Sequence, residues 1–315
     1  MPLIVATRRQ AVAAALAIAL SPLISLSTDD AAASTPRHSM PRVAKTAGGS
    51  WNFTLVQDAA TLVQSLVGGS VPIRNATLTA PDSAAGTFLG GEGIVGFGGG
   101  VTLSSGTIHG ALGPNSLFGS QGTDNEAPGD PALDLLLDPE VSYDACALQF
   151  EFFTDQSEQI EFDYVFASEE YSEFVGEGFD DVLAFFLNGT AAAQNIARVN
   201  DACATVTGVP TSVDNVNCGN AVEPTTPSVN CNCYRDNEVD FSQLPPPPTP
   251  FDSEMDGFTK IFKARGTSVA GWNTLKIVIA DAGDAILDSN VFIRCSSFIV
   301  PAKRSSWGHL KTSYR

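Results

Sequence analysis

Gln159-Ile-Glu-Phe-Asp-Tyr-Val-Phe-Ala-Ser168, then Glu169-Glu-Tyr-Ser-Glu-Phe-Val-Gly-Glu-Gly-Phe-Asp-Asp181, then Val182-Leu-Ala-Phe-Phe-Leu-Asn-Gly189: this stretch decides the fold. Ile160, Phe162, Tyr164 and Phe166 recur at every second position with Glu161 and Asp163 between them, the period of a strand with one buried and one wet face. Residues 182–187 are continuously apolar and close on Asn188-Gly189, a pair suited to a tight turn. Two core strands therefore enclose a short acidic loop, 168–181. Recognition and chemistry concentrate on loops held by rigid strands.

Working outward, Leu148, Phe150 and Phe152 alternate with Gln149 and Glu151, which predicts another half-buried strand over 146–153. Residues 51–56, 71–78, 101–106, 194–199, 257–262, 275–280 and 291–298 read as further strands or sheet extensions. One helix is clear: Asp58 is its N-cap, Ala59, Leu62, Val63, Leu66 and Val67 fall at helical spacing, and Gly68-Gly69 ends it. Residues 131–137 read as a short apolar helix or turn. Gly91-Glu-Gly-Ile-Val-Gly96 matches a dinucleotide-site pattern, but no helix follows to receive a pyrophosphate, so these glycines are read as tight turns and close backbone approaches. Many short strands and few helices predict an all-β fold, a jelly-roll-like β-sandwich with one short N-terminal helix packed on it.

The chain has 315 residues and a formal net charge of −18, which argues against nucleic-acid partners because phosphate binding needs clustered Lys and Arg. Arg8-Arg9, an apolar run from 11 to 26 and the small residues Ala31-Ala-Ala-Ser34 predict a signal peptide over 1–34. A flexible leader over 35–50, a sandwich domain over 51–300 and a tail over 301–315 complete the expected organisation. No later segment reaches the about 20 apolar residues of a transmembrane helix. The expected location is secreted, extracellular or at the cell surface. Six cysteines in an exported chain favour disulfides. Cys203, Cys218, Cys231 and Cys233 lie in an Asn-, Pro- and Thr-rich insertion, 200–251, and are expected to staple it with two bridges; Cys146 and Cys295 are expected to form a third. The alternative for the insertion is a four-thiolate zinc site, although it offers one Cys-x-Cys pair where zinc ribbons have two knuckles.

Histidine catalysis has little to work with. His38 lies in the leader, His309 in the tail, and no Gly-x-Ser-x-Gly elbow accompanies His109. No catalytic residue is assigned. Glu169, Glu170, Asp180 and Asp181 could serve a carbohydrate-active enzyme as paired carboxylates, the enzymatic alternative. A second acidic loop offers Asp281, Asp284, Asp288 and Asn290. The two loops are expected to converge at one end of the sandwich, with Ser168, Glu169, Glu170, Tyr171, Asp181, Asp281, Asp284, Asp288 and Ser289 forming either a buried carboxylate and hydroxyl network or a Ca2+ site. Its ligands would be Glu169, Asp181, Asp281, Asp284 and Asp288, oxygen donors of the hard kind Ca2+ collects.

Phe166-Ala-Ser-Glu-Glu-Tyr-Ser-Glu-Phe174 and Asp180-Asp-Val-Leu-Ala-Phe-Phe-Leu-Asn-Gly189 together resemble the signature of the choice-of-anchor L domain family. Leu62-Val-Gln-Ser-Leu-Val-Gly68 and Val101-Thr-Leu-Ser-Ser-Gly106 resemble its N-terminal motifs. Asn195-Ile-Ala, Val213-Asp-Asn-Val-Asn, Asp256-Gly-Phe-Thr, Ile279-Ala-Asp-Ala-Gly-Asp and Asp288-Ser-Asn-Val-Phe resemble its C-terminal half. The likeness runs from about Phe53 to Ile299. It implies an exported or cell-surface β-rich module, and no established catalytic activity comes with the resemblance. The expected function is a non-enzymatic interaction module that meets a protein or glycan surface through adhesion or matrix formation. It implies nothing about the insertion's cysteines.

Overall fold

The structure is a computed structural model and describes residues 51–68, 71–115, 122–240, 242 and 246–298. All lie in the second of the two units into which the chain divides, Val43–Arg315. The signal peptide, leader and tail expected at 1–34, 35–50 and 301–315 lie outside the described residues.

In chain order the elements are β1 (Asn52–Leu55), α1 (Ala59–Val67), β2 (Ile73–Thr79), β3 (Ala85–Leu89), β4 (Gly99–Ser104), α2 (Pro131–Leu137), β5 (Ser142–Thr154), β6 (Gln159–Ser168), β7 (Val182–Leu187), β8 (Thr211–Ser212), β9 (Tyr234–Asp236), β10 (Gly257–Thr259), β11 (Phe262–Thr267), β12 (Gly271–Ala282) and β13 (Ser289–Arg294). They form two antiparallel sheets. The first runs β1-β3-β4-β13-β6-β10-β9, with β11 also paired to β6; the second runs β2-β5-β12-β7-β8. The chain is an all-β sandwich.

The alternation in β6 places Ile160, Phe162, Tyr164 and Phe166 between the sheets, where they join Leu148, Phe150 and Phe152 of β5, Phe185 of β7 and Ile277 of β12 in one fully buried cluster. Each such side chain contributes roughly 1.5–3 kcal/mol by leaving water. On the outer face, Glu161 and Asp163 both hold Lys263 Nζ at 2.6 Å. Further along that face Val165 and Ala167 are dry, covered by a second apolar cluster that includes Trp51, Phe53, Phe88, Val95, Phe258 and Phe292. One wet face therefore describes only half of β6. The covering loop depends on close backbone approach: a Cβ at Gly91 would lie 2.8 Å from the Phe97 carbonyl. That crowding is why glycine stands in the dinucleotide-like run.

Asp58 caps α1, accepting from the Thr61 N–H at 2.9 Å, and Leu62, Val63, Leu66 and Val67 are buried against the core. A second helix accompanies it. Pro131 at the start of α2 follows the Asp130 cap, and Leu133 and Leu137 cover Ala184, Phe186, Val278 and Ala280 on the outer face of the second sheet.

Two expectations are corrected. Residues 194–199 form no strand but follow a 3₁₀ turn at Ala192–Gln194 and make only the isolated bridges Phe186↔Asn195 and Arg198↔Pro210. The insertion also supplies sheet edges, because β8 extends the second sheet beside β7 and β9 extends the first beside β10. Its cysteines pair as Cys203–Cys233 and Cys218–Cys231, which removes the zinc alternative. The expected Cys146–Cys295 bridge does not form: Cys146 is a buried thiol and Cys295 an exposed one. Cys146 faces Ile279, near the end of the sandwich where β13 begins, whereas Cys295 follows the other end of β13. About 20 Å of strand separates those ends, against the roughly 7 Å between Cα atoms that a disulfide tolerates.

Candidate functional site

Strand ends from both sheets meet at one rim. β6 stops at Ser168 and β13 starts at Ser289, and these two face each other in the ladder. Asp181 immediately precedes β7, whose Val182 faces Ala280 of β12, and β12 runs on through Asp281. β4 ends at Ser104 opposite Asn290. The loops 168–181 and 281–290 are therefore brought together by register, because antiparallel strands of matched length deliver their loops to a common edge.

Asp181 is the fixed point of the cluster. Its Oδ1 accepts from the Ala282 N–H at 3.0 Å and its Oδ2 from the Ser289 hydroxyl at 2.6 Å. The Ser289 N–H donates to Ser105 Oγ at 2.8 Å, and the Ser105 N–H donates to the Ser289 carbonyl at 3.0 Å. Asp288 anchors a neighbouring loop, its carboxylate accepting from the N–H groups of Thr123 at 2.7 Å and Thr107 at 3.3 Å, while its carbonyl accepts from the Glu169 N–H at 3.1 Å. Ser168 Oγ accepts from the Glu170 N–H at 2.9 Å. Tyr171 packs its ring 4.8 Å from that of Tyr234 in the insertion. Asp284 is half-buried at the edge, where it accepts from the Ile286 N–H.

The rim is sealed. Ser168, Tyr171, Asp181, Asp288 and Ser289 are fully buried, and Glu169, Glu170 and Asp281 are 1–2 % exposed. No described lysine or arginine forms an ion pair with Glu170, Asp181, Asp281 or Asp288. Burial is the largest influence on the carboxyls of Glu170, Asp180, Asp181, Asp281 and Asp288. It raises Glu170 and Asp281 well above the ordinary carboxylate range, with the Asp181 charge the next contributor to each. Burial likewise raises Asp181, against the bonds donated by Ser289 and Ala282. Asp288 is pushed up to about 7 by burial, and Asp180 to about 7 by burial and the Asp214 charge.

Among the described residues, no three His, Cys, Asp or Glu side chains form a group that could hold a metal ion. The paired-carboxylate chemistry of a glycosidase needs a cleft that admits a sugar ring. Glu169, Glu170 and Asp181 are closed to one in this conformation.

Sequence reasoning missed Asp144 and Ser105. Asp144 is fully buried and accepts from the N–H groups of Asn125 at 2.7 Å and Ala127 at 2.6 Å. Nothing in its strand context marks it. Ser105 belongs to Val101–Gly106, a stretch visible in the sequence, but its place beside Ser289 follows only from the pairing of β4 with β13. A second pair, half-buried Glu238 and buried Asp256, went unread as well. Glu238 accepts from the Ser172 N–H and is pushed up to about 9; Asp256 accepts from Asn115 at 2.6 Å and is pushed up to about 8, both mainly by burial.

Gly106 closes the rim from the β4 side, because a Cβ there would lie 1.9 Å from Asp288 Oδ2. Gly106→Ala is therefore expected to displace Asp288 and cost about 1–3 kcal/mol in denaturant unfolding. Gly93→Ala, with nothing within 4 Å of its added Cβ, serves as the neutral control. Equal stability of the two variants would show that Asp288 yields freely.

The fold and site define an all-β sandwich module with a closed acidic rim. The model of the choice-of-anchor L domain matches residues 53–299, and the chain belongs to that family. Neither the curated proteins nor the solved structures compared with it yield a match. The family marks an exported, surface-associated module, and the two disulfides fit an exported protein. Among the described residues no helix is long and apolar enough to cross a membrane.

Proposed function

We propose that the chain acts outside the cell as a non-enzymatic interaction module, making adhesive or matrix contacts with a protein or glycan surface. Family membership over residues 53–299 is the observation that carries this reading. Two features support it. Glu169, Glu170 and Asp181, three of the four carboxylates that a carbohydrate-active enzyme would use, are sealed under the rim, and the net charge of −18 disfavours polyanionic partners.

The test pairs binding with turnover. The exported protein is applied to glycan arrays and immobilised extracellular proteins, and the same preparation is screened for oligosaccharide hydrolysis. Saturable binding is expected, with no product formed and no difference between wild type and Glu170→Gln in the hydrolysis screen. Hydrolysis abolished by Glu169→Gln or Glu170→Gln would replace this reading with the enzymatic one. Self-assembly without any ligand would replace it with a purely structural role.

A further inference from the structure

We infer that Lys276 and Asp130 condense into a spontaneous amide cross-link, a covalent clasp between β12 and the start of α2. This goes beyond the surface role and does not depend on it.

The pair is placed by two elements that pack face to face. Lys276 stands on β12, opposite Phe186 of β7 and Gln149 of β5. Alternation puts it on the outer face of the second sheet with Val278 and Ala280, which α2 covers. Asp130 caps α2 over that face. Lys276 Nζ donates to Asp130 Oδ2, and the two side chains are 16 % and 11 % exposed. In every other described ion pair the cation is at least 36 % exposed, so this is the pair held furthest from water.

The carboxyl of Asp130 is presented for attack. Its Oδ1 accepts from the Ala132 N–H at 2.9 Å, which leaves Oδ2 to the lysine. The Asp130 N–H donates to Ser142 Oγ at 2.8 Å. Ser142 is fixed in turn by Asp134 Oδ1, to which its hydroxyl donates at 2.6 Å and its N–H at 2.8 Å. Amine and carboxyl carbon are thus neighbours on pinned backbones, the arrangement that turns a bimolecular step into an intramolecular one.

The step balances within the pair. One ammonium proton passes from Nζ to Oδ2, giving amine and acid. The Nζ lone pair attacks Cγ, and the charge that develops on Oδ1 is met by the Ala132 N–H, as a backbone donor stabilises an oxyanion. A second Nζ proton goes to Oδ2, the Cγ–Oδ2 bond breaks, and water leaves. The Nζ–Cγ amide keeps Oδ1 as its carbonyl oxygen, still facing Ala132. A cavity of about 260 Å3 bordered by Asp130, Gly129 and Ala147 gives the water a way out. Condensation also removes two charges from a poorly hydrated place, where an ion pair carries a desolvation cost.

The consequence is mechanical. The cross-link spans 146 positions, so β5, β6, β7 and the insertion lie inside a closed loop. Tension applied at the chain ends then runs through the clasp and bypasses the enclosed strands.

Peptide mapping of the full-length protein tests this. Purified protein, held at pH 7.5 until its intact mass is constant, is reduced, alkylated, digested with trypsin and sequenced by tandem mass spectrometry. The expected product is a branched peptide that joins the Asp130 segment to the Lys276 segment, lighter than their sum by one water and uncleaved after Lys276. Lys276→Arg keeps a cation beside Asp130 but removes the nucleophile. It should yield only linear peptides and melt roughly 10–20 °C lower, the loss expected when a long closed loop is opened. Linear peptides from wild type, with trypsin cutting after Lys276, would overturn the inference in favour of an ordinary ion pair. A water loss that persists in Lys276→Arg would also overturn it, by placing the dehydration elsewhere, as in an aspartyl succinimide.

Discussion

The protein loses stability as the pH is raised from 5 to 8. The sign follows from the buried carboxyls. Asp288 has a folded value near 7 against an ordinary 3.8, and Asp180 also lies near 7, so the native state keeps protons that the unfolded chain has already released. Where the native state binds more protons, stability is fully present below the unfolded value and drains away as pH climbs through the folded one. For fully buried Asp288 the displacement corresponds to on the order of 4 kcal/mol. Asp256, raised to about 8, extends the decline to the alkaline side. Denaturant midpoints measured at successive pH values should fall across this window. A profile that is flat, or that rises toward pH 8, would mean these carboxyls are ionised and satisfied in the native state.

Breaking the Cys203–Cys233 bridge is expected to be the most damaging change to the insertion. The bridge closes a loop with a sequence separation of 30, for which chain entropy alone gives about 3–4 kcal/mol. Cys233 is fully buried within the main core cluster, and the next residue, Tyr234, packs on Tyr171 at the acidic rim. A Cys203→Ala/Cys233→Ala pair should therefore loosen β9 and disturb Tyr171 as well as lower the unfolding midpoint. Cys295→Ser, at an exposed free thiol, should leave the midpoint within about 0.5 kcal/mol of wild type. Thiol titration in denaturant without reductant should find the thiols of Cys146 and Cys295 and no others. Finding neither would restore the bridge that the strand geometry rules out.

Much of the sandwich was legible because its strands announce themselves by period. Residues 182–187 were readable to the residue, since six consecutive apolar side chains between an aspartate pair and Asn188-Gly189 leave no other boundary. The α1 cap at Asp58 was equally plain. β3 was not, because Gly86 contributes no side chain to the alternation and the strand is covered on both faces for most of its length. Residues 194–199 looked like a strand because Ile196, Ala197 and Val199 are apolar. They are apolar because they pack on the core, with Ala197 and Val199 fully buried, and backbone pairing is confined to single bridges.

The acidic residues of the rim were all visible as residue types, yet their type did not say how deeply they would lie. Glu169 and Glu170 read as solvating loop residues as readily as site residues, and only the closure of β4, β6, β12 and β13 around them makes them 1–2 % exposed.

From its order of residues alone the chain determined an export-like, all-β architecture, the helix at 59–67, the central strands and the family to which it belongs. These follow from interactions between near neighbours, in which burial repeats with the period of the backbone. Tertiary structure decided which cysteines pair, that the insertion supplies edge strands to both sheets, and that Asp181 meets Ser289 across 108 positions of sequence. Those outcomes depend on strand register, which sums weak preferences over the whole ladder and leaves no mark at any single position.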